Sequence, residues 1–284
     1  MNIFNASLKK ALGLLIVFAL PLLFTGLSLS RDLGSHVSEA SARSIHDESS
    51  WQTTDRLNSS ETHMFDEPVI SIVFDDGWES IYDNAFPQME TMGIKSTQYI
   101  ITSTFENSRY MSVEQIRHMH RNGHEIQSHT VTHPNLTELS ADQLETELYS
   151  SRIMLEEITG VAVEDLAVPL GAYNPTVTAA ARKWYRTLRT TQLGVNTRAT
   201  FNPYEIKSPT IKTVHTTKDI KQFIEEAKQN NGWLILTYHQ IDTSGDTYAV
   251  SPDAFRAQMQ AVIDSGVDVV TFGQAIEIIQ EQQQ

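Results

Sequence analysis

Cysteine is absent from all 284 residues. That excludes disulfides and thiolate metal ligands and leaves the fold to its core. Positive charge is scarce. Lys and Arg number 21 against 35 Asp and Glu, for a formal net charge of −14 and a pI of about 5.1. A nucleic-acid partner calls for a basic face, and this composition argues against one. It also disfavours a strongly anionic polymer as ligand, whereas a cationic one is compatible with an acidic surface. Internal repeats are absent too. What is present is 40% hydrophobic residues, enough for one sizeable core.

Long hydrophobic runs are confined to one place. Lys9 and Lys10 precede an apolar run from Ala11 to Leu29, about as long as a bilayer-spanning helix. Residues 1–30 therefore read as a signal peptide or an uncleaved signal-anchor, with Ser28-Leu29-Ser30 as a small-residue cleavage site. The expected location is periplasmic or extracellular, with membrane contact only through this segment if it is retained. Residues 31–66 are polar, lack periodicity and read as a disordered linker. His36, His46 and His63 fall there and are given no role.

From residue 67 to 284 the chain reads as one domain of alternating strands and helices. Strands are expected at 69–74, 97–101, 125–127, 166–168, 187–191, 208–213, 233–237 and 267–271. Helices are expected between them, at 80–92, 112–122, 141–159, 175–185, 217–230 and 252–265. Ser112 and Gln115 form a capping-box pattern. Gly123, Gly160, Gly232 and Gly266 stand where helices should stop. Such alternation implies a mainly parallel sheet with helices outside it. In barrels of this kind the active site lies at the C-terminal ends of the strands.

Two stretches carry chemistry. Val69–Trp78 reads V-I-S-I-V-F-D-D-G-W, a buried-strand pattern closing on Asp75 and Asp76. Adjacent strand residues point to opposite sides, so one carboxylate can bind a metal while its neighbour faces a substrate. His124–Pro134 reads H-E-I-Q-S-H-T-V-T-H-P, with His129 and His133 four residues apart. Pro134 disfavours helix at His133, so a loop or single turn is expected there. Two histidines and an aspartate are a three-ligand set that leaves room for water, as a hydrolytic metal site needs.

F-D-D-G-W followed by H-T-V-T-H-P resembles the polysaccharide deacetylase family, the NodB-homology or carbohydrate esterase family 4 enzymes. Val168–Asn174 (V-P-L-G-A-Y-N) resembles the family's third motif. Leu234–His239 (L-I-L-T-Y-H) resembles its last. The resemblance implies an irregular (β/α)7-like barrel and a metal-dependent hydrolase that removes N-acetyl groups from an N-acetylated amino-sugar polymer or oligosaccharide. It implies Asp76, His129 and His133 as ligands of a divalent metal, zinc first, with cobalt or nickel as alternatives. It implies Asp75 as general base and His239 as general acid. The backbone N–H of Leu170 would serve the oxyanion. Trp78, Leu170 and Tyr173 would line the sugar groove.

The sequence departs from the family's pattern in three places. The third motif's arginine, which holds the catalytic aspartate, is Ala167 here, so the partner of Asp75 is unnamed. The aromatic residue after the motif's proline is Leu170. The fourth, Asp-Trp-containing motif has no convincing counterpart. The alternative function is a catalytically weak or inactive NodB-like carbohydrate-binding protein. A glycosidase using Asp75 and Asp76 is disfavoured, because neighbouring residues cannot easily flank a sugar at the required separation.

Overall fold

The computed structural model describes residues 65–282. The segment read as a signal, and the linker up to residue 64, lie outside the described residues. Phe65, at the end of that linker reading, is buried and packs into the domain's core.

Seven parallel strands form one curled sheet. They are β1 (Val69–Phe74), β2 (Thr97–Ile100), β3 (Glu125–Ser128), β4 (Asp165–Ala167), β5 (Thr187–Arg189), β6 (Trp233–Tyr238) and β7 (Asp268–Val269). The order is β5-β4-β3-β2-β1-β6. β7 pairs with the start of β1, at Val69 and Ile70, while β2 pairs with its end, at Val73 and Phe74. One edge of β1 thus serves two neighbours, which makes the barrel irregular. The helices are α1 (Phe86–Met92), entered through a π-type turn at Ile81–Ala85, α2 (Val113–Arg121), α3 (Ala141–Thr159), α4 (Pro175–Ala181), α5 (Thr217–Asn230), α6 (Pro252–Asp264) and α7 (Phe272–Glu281).

The strand expected at 208–213 is not one. The run from Ile206 to Thr210 instead bridges the two sheet edges, Ile206 to Arg189 on β5 and Thr210 to Thr237 on β6. With one bridge to each neighbour it closes the gap without forming a ladder. The expected fold class holds, with an irregular segment in place of a strand at the closure. α7 was also not foreseen. Its cap is a Thr271–Gln274 capping box, and Phe272, Ala275, Ile276 and Ile279 form its buried side. At the end of α5 the left-handed stop falls on Asn231 (φ 39°), one residue before the expected Gly232. Gly232 is glycine for another reason: a Cβ there would meet Val195 Cγ1 at 2.5 Å.

Strand alternation sorts the residues into two cores. Ile70, Ile72 and Phe74 of β1, with Leu234, Leu236 and Tyr238 of β6, join the large core under the helices. Val69 and Val73, with Tyr99, Ala167, Trp233 and Ile235, form a smaller core with Phe272 and Ile276 of α7. Continuing that second parity to the strand ends and just past them gives Asp75, His129, Arg189 and His239. The rule that packs the smaller core therefore delivers polar side chains to the C-terminal mouth.

Candidate metal and catalytic site

Asp76 leaves the end of β1 in a left-handed conformation, φ 72°, and Gly77 follows at φ 84°. This turn reverses the chain and separates the two carboxylates. Asp75 points inward and is buried, whereas the Asp76 side chain is 14% exposed. Across the mouth, the loop after β3 carries Thr130 (φ 68°) and His133 (φ 59°), and the turn after β4 carries Leu170 (φ 61°). Among the described residues, five other than glycine have positive φ, and these four are at one site. Backbone strain of this kind persists only where the surroundings enforce it, and it gathers at working sites. Glu147 of α3 provides part of that enforcement, accepting from the N–H groups of Val131 (2.8 Å) and Thr132 (2.9 Å).

Asp76, His129 and His133 each offer one donor atom, and all three atoms lie within 4.8 Å of one another. Asp76 Oδ1 is 3.5 Å from His129 Nε2 and 3.6 Å from His133 Nε2. Oδ1 is buried and takes no hydrogen bond. A buried carboxylate oxygen facing two imidazole nitrogens fits a divalent cation. His129 Nδ1 donates to the Ala167 carbonyl at 2.9 Å, which turns the Nε2 lone pair toward the site. Burial holds the His129 ring below the ordinary histidine value, against the pull of Asp75 and Asp76. The neutral ring that a metal needs is favoured.

Asp75 has the partner that the sequence leaves unnamed. Arg189, the last residue of β5, donates Nη2 to Asp75 Oδ1. Its Nη1 reaches Ser208 Oγ and Thr237 Oγ1, each at 3.2 Å, and the guanidinium lies 4.5 Å over the Tyr99 ring. Arg189 is the register partner of Ala167 on β4. The arginine missing at 167 is thus replaced from the neighbouring strand, and Ala167 is small enough to leave the space. The available signal was a charged residue at an inward position of a short strand. Burial works against the Asp75 charge, yet Arg189, followed by His129, His239 and His133, holds its carboxyl below the ordinary value.

His239 Nε2 is 4.0 Å from Asp75 Oδ2, and its ring lies 5.1 Å from Tyr248. Its Nδ1 is buried without a partner. Asp242 and Asp246, the carboxylates nearest in sequence, accept from backbone N–H groups of their own loop, so Asp75 is the anion beside this ring.

These groups open on a groove of about 650 Å³ whose lining includes Leu170, Leu193, Lys212, Val214 and Tyr248. Leu170, 67% exposed, is among its lining residues. Trp78 and Tyr173 are not among its lining residues. The Trp78 ring stacks on Tyr110, and the Tyr173 hydroxyl accepts from Gln192 at 2.7 Å.

Residues 63–188 match the family model described as "Polysaccharide deacetylase". The Bacillus subtilis (strain 168) protein named "Putative polysaccharide deacetylase YxkH" is 29% identical over 133 residues, 46% of this chain and 48% of that protein. The chain thus spans about half the length of this curated relative. The Streptococcus pyogenes deacetylase PplD, solved in complex with acetate, is 26% identical with a TM-score of 0.51, over 54% of this chain and 69% of that one. A "CE4 family pseudoenzyme" from Bacillus anthracis shares the fold at 18% identity and a TM-score of 0.52, over 74% of this chain and 66% of that one. The fold therefore does not by itself establish catalysis.

Proposed function

We propose that this chain is an exported, metal-dependent N-deacetylase of an N-acetylated glycan. The observation that carries the reading is the convergence of a two-histidine, one-aspartate ligand set, the Asp75–Arg189 pair and His239 on one groove. Asp76, His129 and His133 would hold a divalent ion, which would supply Lewis acidity when bound. Asp75, aimed by Arg189, takes the proton of the attacking water. The backbone N–H of Leu170 serves the oxyanion. His239 gives its proton to the departing nitrogen as the C–N bond breaks, leaving acetate and a free amine.

Acetate release from chitin-like, peptidoglycan and β-linked glucosamine polymers, with added zinc, cobalt or nickel, tests the reading. Tight metal binding without acetate from any N-acetylated glycan would point to an inactive carbohydrate-binding protein. The His239→Ala variant tests the acid role. It should keep its metal and lose turnover on acetamides, with a much smaller loss on an activated acetate ester, whose leaving group needs no proton. Equal losses on both substrates remove that role.

A further inference from the structure

Trp78 stands outside the groove, and its contacts give it a different task. Its indole N–H donates to Asp76 Oδ2 at 2.9 Å. Its ring stacks on Tyr110 at 4.5 Å and 21°, and the Arg109 guanidinium lies 5.2 Å over it. The main chains of Trp78 and Tyr110 form a bridge. On either side of that bridge, Glu79 N–H donates to the Arg109 carbonyl (2.9 Å) and Met111 N–H to the Gly77 carbonyl (2.8 Å). The indole is therefore anchored from a second loop, residues 109–111, and does not depend on the β1 turn alone.

The two oxygens of Asp76 are consequently unequal. Oδ2 is occupied by the indole, while Oδ1 is buried, unpartnered and aimed at both histidine Nε2 atoms. We infer that Trp78 is the positioning residue that sets Asp76 as a one-oxygen metal ligand. An ionised carboxylate accepts through either oxygen and turns freely unless one is held. A hydrogen bond to a charged acceptor is strong enough to hold it, and loss of such an outer partner typically costs about 10–100-fold in metal affinity. Fixing one oxygen also leaves coordination positions for water and substrate. The inference rests on the metal-site reading above.

Trp78→Phe tests it, because it keeps an aromatic ring to stack on Tyr110 and removes the indole N–H. Zinc affinity of the full chain is measured by chelator competition, and the site is also loaded with cobalt(II) for its visible spectrum. The metal-free variant should unfold at the wild-type temperature. Its zinc Kd should rise about 10–100-fold, and the cobalt band should change in intensity as the freed carboxylate brings its second oxygen to the metal. A second variant, Tyr110→Ala, leaves the N–H but removes its stacking support, and should weaken zinc by a smaller factor. Wild-type zinc affinity and an unchanged cobalt spectrum in both variants overturn the inference. A wild-type chain that binds no zinc overturns the metal reading itself, so the two failures are distinguishable.

Discussion

The two ends of the barrel each hold a buried aspartate paired with an arginine, and both arginines come from β5 or the residue just before it. At the N-terminal end, Asp165 of β4 accepts from Arg186 Nε (3.1 Å) and Nη2 (3.0 Å) and from Thr187 Oγ1 (2.7 Å). Beside it, Glu125 accepts from Thr97 Oγ1, Gln127 Nε2 and the Gly273 N–H at the start of α7. At the C-terminal end, Arg189 of β5 meets Asp75, and there Asp76 Oδ1, Arg189 Nε and His239 Nδ1 are buried without partners. At the N-terminal end all four carboxylate oxygens of Asp165 and Glu125 accept hydrogen bonds, and the unpartnered atoms nearby, Gln98 Oε1 and Tyr99 Oη, belong to neutral side chains. The C-terminal one keeps donors and acceptors in reserve and adds four left-handed residues. Unmet polar groups destabilise a fold unless a ligand or reaction uses them. The first end is built to hold the barrel shut, and the second to receive something.

The largest expected effect is at the open end. Asp75→Asn should keep its metal yet lose about 10²–10⁴-fold in kcat, the usual contribution of a general base. Asp76→Ala, His129→Ala or His133→Ala should instead lose the metal and activity together, because two remaining ligands make a poor site. If Asp75→Asn emptied the site while Asp76→Ala kept it filled, the two roles would be exchanged. Next in size is the closed end. Asp165→Ala breaks a pair whose aspartate is fully buried and should cost about 3 kcal/mol of stability. That is the lower part of the usual range, since the Arg186 side chain is 23% exposed. Denaturant unfolding reads this loss, and acetate release per folded molecule should stay at the wild-type level. A variant of normal stability but poor turnover would break the division between the ends.

A smaller effect is expected at the positioning arginine. Arg189→Lys keeps the charge but loses the planar fork and the stack on Tyr99, so kcat should fall about 10²-fold through misaim of Asp75, with KM little changed. Ala167→Arg combined with Arg189→Ala returns the arginine to the neighbouring strand and should recover part of that loss. Turnover of the double variant no better than that of Arg189→Ala would show that the register pairing does not make the two positions interchangeable.

This arginine marks where the sequence stops being readable. β1, α3 and α5 fall at their expected limits because apolar periodicity and caps are local signals. Asp75, Asp76, His129, His133 and His239 stood out because two of the stretches that carry them are distinctive in residue type and spacing. Arg189 acts through a strand pairing with Ala167 and a partner on β1, contacts that no local pattern encodes. The Ile206–Thr210 closure makes single bridges to two strands and so carries no strand periodicity. Trp78 was expected to line the sugar groove, since the loop that covers its ring, residues 109–111, is distant in sequence and approaches only in the fold.

The smallest expected effect concerns pH and again separates the ends. His124 is buried beside the N-terminal network, lining the same cavity as Glu125, Gln127 and Gly273. Its Nε2 faces Glu90 Oε1 at 2.9 Å, and Nδ1 accepts from the Ser96 N–H at 3.2 Å, which fixes the neutral tautomer with the proton on Nε2. Phe86 packs edge-on against the ring, and Lys95 adds a nearby positive charge. Burial holds His124 below the ordinary histidine value, although the bond to Glu90 works the other way. The unfolded chain takes up this proton near pH 6.5, above the point at which the fold does. The contribution to stability is therefore complete above that pH and is lost as pH falls toward the folded value. His129 at the open end is depressed in the same direction and adds to the same window in metal-free protein. Chelated wild-type protein should accordingly lose stability as pH falls below about 6.5. His124→Gln, which can still donate to Glu90 and accept from Ser96, should show a shallower slope, with the remainder due to His129. Turnover of the metal-loaded variant should keep the wild-type pH profile, because His124 touches nothing at the open end. Superimposable stability slopes for wild type and His124→Gln would remove His124 from the account, and a displaced rate profile would show that the two ends are coupled.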